Sequence, residues 1–148
     1  MVPTLAGRIQ TRLFLLATVG AIITLLIVPV LPVLPGSSGP LGDRYVTGFL
    51  VLTAVAVLGV GWELVYHFLM QFRWEKDWPT LFGLLTVLPE GLLLYFLLRS
   101  GAVDFIDPVP SAAFWTHFTV VWVCVWLVAN GPMRVPFIRW RFRGGRVL

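Results

Sequence analysis

Four long apolar stretches separated by short polar segments dominate the chain. Leu13 to Pro35 carries no charge and follows Arg8 and Arg12, while Tyr45 to Phe72 is apolar apart from Glu63 and His67. Pro79 to Leu98 contains only Glu90 as an ionisable carboxyl, and Ser111 to Ala129 contains His117 as its ionisable base. Because about 20 apolar residues cross a bilayer core, the pattern predicts membrane spans at about residues 11–28, 45–72, 79–98 and 111–129. The expected fold class is all-α, a four-helix transmembrane bundle over 1–132, followed by a basic aromatic tail over 133–148.

The polar punctuation supports these boundaries. Pro29, Pro32 and Pro35 in PVLPVLP remove helical N–H donors and favour an extended exit, and GSSGPLG at 36–42 follows as a turn-rich loop. WEKDW at 74–78 reads as a tight charged hairpin in which Asp77 caps the next helix. RSGAVDFIDPVP at 99–110 forms the third connection, and Asn130-Gly131-Pro132 ends the fourth helix. The first apolar run is longer than a signal-peptide core, and no A-x-A-like site follows it, so the span is expected to be retained.

With 58% hydrophobic and 12% charged residues among 148, an ordinary soluble domain is excluded. Cys124 is the single cysteine, which rules out an internal disulfide and leaves its redox role open. The net charge of +4 arises largely from Arg134, Arg139, Arg141, Arg143 and Arg146, a placement that suits a membrane surface better than nucleic acid. With four spans, Arg8, Arg12, Arg73, Lys76 and the five tail arginines share one side against Arg44 and Arg99. The excess of basic residues predicts that both termini are cytoplasmic and that the protein resides in the cell membrane.

The residues that do not belong in lipid carry the candidate chemistry. Glu63 and His67 are four apart and share a helix face with Gly59, Tyr66 and Met70. At about 1.5 Å per residue, Glu63 lies roughly 14 Å deep, Glu90 and His117 roughly 18 Å, and His67 roughly 8 Å. Isolated charges at such depth are costly, so Glu63, Glu90 and His117 are expected to face inward and converge. If the two carboxyls meet, repulsion keeps one protonated unless a cation bridges them. The plain reading of Glu63, His67, Glu90 and His117 is a hydrogen-bonded packing network. A metal site, a proton relay and an intramembrane hydrolase are the sharper readings. The last lacks a nucleophile motif, and bis-histidine haem ligation is disfavoured by the different depths of the two histidines. The sequence leaves the cofactor, and whether the cluster binds a metal, open.

Other features read mainly as structure. Pro89 should kink the third span beside Glu90 and open space there. Gly20, Ala21, Thr24, Gly83 and Thr86 offer small surfaces for close helix approach. Trp115, Trp122 and Trp126 serve as anchors, bulk or subunit contacts. In the tail, Arg139-Trp140-Arg141-Phe142-Arg143 alternates with period two. As a strand it would separate arginines from aromatics; on a bilayer the aromatics would enter the interface while the arginines met phosphates. Anionic lipid head groups are the default partner, ahead of a membrane or cytoplasmic protein or a second copy of the chain.

GWELVYHFLMQFRWEKDWPTLFGLL and NGPMRVPFIRWRFRGGR resemble segments of uncharacterised small four-span integral membrane proteins of actinobacteria. That resemblance implies the four-span fold and no activity. Small multidrug transporters carry their membrane carboxylate in the first helix, which lacks one here, and quinone-reducing disulfide enzymes need paired cysteines. The expectation is a non-enzymatic accessory or assembly protein. The alternative is a small proton-coupled transporter or intramembrane metal-binding protein using the Glu/His cluster.

Overall fold

The computed structural model describes residues 4–32, 40–72, 80–102 and 109–147. The charged WEKDW hairpin, most of the proline-glycine loop after the first span and both aspartates of the third connection lie outside them.

Among the described residues, four helices are long and apolar enough to cross a membrane: Leu5–Val30, Leu41–Met70, Thr80–Arg99 and Ser111–Arg134. The first span comprises α1 (Leu5–Leu15), a π-helical turn (Leu16–Gly20), α2 (Ala21–Ile27) and a short 3-10 turn (Val28–Val30). The second is one helix, α3 (Leu41–Met70), and the third is broken at Thr86 into α4 (Thr80–Leu85) and α5 (Val87–Arg99). The fourth is α6 (Ser111–Asn130) with a 3-10 turn after it, and a short helix, α7 (Ile138–Phe142), follows.

Each boundary has a local cause. Thr4 caps α1 by accepting from the Gly7 N–H at 3.1 Å, so the helix begins ahead of the expected start near residue 11. At the other end of this span, Arg44 Nη2 donates to the carbonyls of Val28 and Leu31, both at 2.8 Å. It thereby satisfies oxygens at the proline-interrupted helix end, where regular helical bonding stops. Pro89 has no N–H for the Leu85 carbonyl, and the helix breaks beside that residue, at Thr86.

The spans pack as a ring in chain order, the first touching the second and fourth and the third closing between them. Leu16, Val51, Leu52, Val55, Leu94, Phe114, Phe118 and Val121 form the apolar core. The two termini meet at one end of the ring, where the Thr4 N–H donates to the Gly144 carbonyl at 2.9 Å.

Candidate functional site: a buried arginine-glutamate network

The first span brings Arg8 and Arg12 to one face of α1, four residues apart. Opposite them, α3 contributes Glu63 and Tyr66, and α5 contributes Glu90. Arg8 Nε donates to Glu63 Oε2 at 2.6 Å, and Arg12 Nε donates to Glu63 Oε1 at 3.0 Å. The terminal nitrogens of Arg12 form a two-pronged pair with Glu90, Nη1 to Oε2 at 2.6 Å and Nη2 to Oε1 at 2.9 Å. Tyr66 Oη donates to Glu90 Oε1 at 3.0 Å. Arg12 also lies over the Trp122 ring, 5.5 Å from its centre, which ties in the fourth span.

This arrangement uses the planar fork of arginine, whose N–H groups point in fixed directions and match carboxylate oxygens in pairs. Two guanidinium and two carboxylate groups sum to zero charge. Their side chains are only 4–13% exposed, so the mutual pairing replaces the water that each ion has lost. Gly59 makes the approach possible: a methyl group there would collide with the Arg12 guanidinium.

Of the sequence candidates, Glu63 and Glu90 therefore converge, bridged by Arg12 as the cation between them. His117 is buried but does not join them; its Nε2 pairs with Thr24 Oγ1 at 2.9 Å, in a separate link between the first and fourth spans. His67 is half-buried one turn from Glu63, with its Nδ1 buried and unpartnered among the described residues. The expected convergence of Glu63, Glu90 and His117 is thus corrected. Depth along a helix constrains one coordinate only, and the helix face sends His117 toward Thr24. Among the described residues, no three His, Cys, Asp or Glu side chains are grouped as metal ligands require.

Arg8 and Arg12 are members of this network that the hydropathy pattern treats as flanks. The signal that places them inside is Thr4: an N-cap there makes both part of the helix rather than its approach.

Part of the tail packs against the first span. Residues 138–142 are helical, so Trp140 and Phe142, two residues and about 200° apart, point to different sides. Trp140 turns inward and donates to Thr11 Oγ1 at 2.6 Å, while Phe142 is exposed. The chain after it lies on α1. Thr11 Oγ1 donates to the Gly145 carbonyl at 2.8 Å, and the Val147 N–H donates to Gln10 Oε1 at 3.0 Å. Gly144 and Gly145 adopt positive φ, and Gly7 lies so close to the Gly144 carbonyl that a side chain there would clash. Arg134, Arg139, Arg143 and Arg146 are exposed, Arg134 donating to Asn130 Oδ1 at 2.9 Å. The Arg141 side chain lies outside the described residues.

Beside the ion network lies a half-open cavity of about 260 Å³, reaching from Leu52 and His117 to Trp140 and Gly145. All four spans and the tail contribute to its wall. Comparison of the chain with known protein families, curated proteins and solved structures finds no match.

Proposed function

We propose that this multi-pass membrane protein is a non-enzymatic accessory or assembly factor of the cell membrane, working through its C-terminal surface. In this reading both termini are cytoplasmic and the tail engages anionic lipid. The observation that carries it is the exposed face of the tail. Ile138 and Phe142 form an apolar pair four residues apart, Arg139 and Arg143 form a basic pair beside them, and Val135 extends the apolar side. An element at the end of a membrane span with adjacent apolar and basic faces suits the interface, where each arginine near anionic lipid contributes about 1 kcal/mol. The interior charges, by contrast, neutralise one another.

Replacing Arg139, Arg141 and Arg143 by Gln should leave membrane insertion and the melting temperature unchanged while abolishing enrichment of phosphatidylglycerol around the protein in mixed bilayers. Unaltered enrichment, together with unaltered recovery of every cross-linked partner, contradicts the proposal. Reporter fusions at both ends should signal from the cytoplasmic side, and an external signal at either end contradicts the orientation.

A small transporter is the second reading, favoured by the cavity and by its contact with Arg8, Arg12 and Glu63. It requires that Glu63→Gln or Glu90→Gln abolish solute or proton movement in proteoliposomes while the fold is retained.

A further inference from the structure

The wall of the cavity is overwhelmingly aliphatic and aromatic, with Leu16, Val55, Phe118, Val121, Trp122 and Val125 among its residues. Its charged lining, Arg8, Arg12 and Glu63, is already paired. A charged ligand would have to break those pairs and leave buried ions without their counter-charges, whereas a hydrocarbon chain leaves them intact and fills the space with dispersion contacts.

The third span supplies the thin side of the wall. It contributes Gly83 and Thr86, and α4 buries none of its residues, while α5 buries Glu90, Gly91 and Leu94. In the half of the span before the helix break at Thr86 no residue is fully buried, and it is there that a chain from the bilayer would enter. At the end where the termini meet, the cavity reaches Trp140 and Gly145, and the same segment exposes Arg139, Arg143 and Arg146.

We propose that the cavity holds part of one acyl chain of an anionic phospholipid, whose phosphate is met by the exposed arginines of the tail. The head-group half of this assignment rests on the reading of the tail given above; the chain half rests on the cavity alone. The occupant is a lipid of the surrounding bilayer, because the cavity lies between the apolar helices long enough to cross a membrane and the exposed charge at its tail end is positive.

The test uses the full-length protein reconstituted in vesicles of equal phosphatidylcholine and phosphatidylglycerol, extracted in mild detergent, with lipids retained per chain counted by native mass spectrometry. The unaltered protein should keep one phosphatidylglycerol. Val125→Phe and Thr86→Leu fill the cavity from different spans, and each should lower the retained fraction by about tenfold, as steric overfilling predicts. Val57→Phe, on the 68% exposed outer side of α3, should not. Should both filled variants unfold, chain-brominated phosphatidylglycerol added to the unaltered protein must still quench tryptophan emission with a saturable component. Absence of a retained lipid, equal retention in folded filled variants, or quenching without saturation overturns the chain assignment. Arg139→Gln, Arg143→Gln and Arg146→Gln combined should keep one lipid but lose the preference for phosphatidylglycerol. A preference that survives overturns the head-group assignment and the tail reading with it, leaving the chain result to be judged by the cavity variants.

Discussion

Arg12 reaches two carboxylates on two different helices because Gly59 leaves room for its guanidinium where any other residue would place a Cβ. The Gly59→Ala variant should displace that group, lengthen its bonds to Glu63 and Glu90, and destabilise the protein by about 1–3 kcal/mol, the usual range for overpacking a tight contact. Reversible unfolding in mixed micelles measures it, and an unchanged midpoint would mean that Arg12 is free to shift without loss. At this scale the carboxylates were legible in the sequence, since Glu63 and Glu90 stand in apolar surroundings that an unpaired ion would not tolerate. Their partners were not, because arginine next to an apolar run is ordinarily a topology marker, and the same residue type serves both purposes. His117 was legible as buried but not as the partner of Thr24, whose hydroxyl carries no sequence signal of its own.

The helices followed from hydropathy, but their rotation about their own axes did not. In a continuous α-helix Arg12 and Thr24 would lie about 120° apart, and only one of them could face the bundle squarely; the extra residue of a π turn reduces this to about 20°. The Ala21 N–H accordingly bonds back to the Leu16 carbonyl, five residues earlier. Nothing in LATVG announces such a turn. Deleting Val19 should restore regular α-helix and rotate Arg12 away from Glu63 and Glu90 or Thr24 away from His117. The expected cost is about 3–5 kcal/mol where buried charges lose their partners, read as a lower melting temperature. An unchanged melting temperature would mean that the π turn does not set the phase. The tail teaches the same lesson in reverse: a period of two in residue type at 139–143 was realised as a helix, because docking on α1 through Trp140 outweighed the local pattern.

For the whole molecule, the meeting of Thr4 with Gly144 places both termini at one end and accords with an even number of crossings. The arginine-glutamate network lies in the half of the bundle nearest that end, linking the first, second and third spans by ion pairs and touching the fourth through Trp122. Mutual neutralisation of these charges is what separates a packing device from a proton or metal site, and a double-mutant cycle between Arg12 and Glu90 tests it most directly. Arg12→Gln should destabilise the protein by about 3–5 kcal/mol because it leaves Glu90 buried without its counter-charge, and adding Glu90→Gln should recover a large part of that loss. Losses that simply add, or an Arg12→Gln variant as stable as the original, would contradict mutual neutralisation.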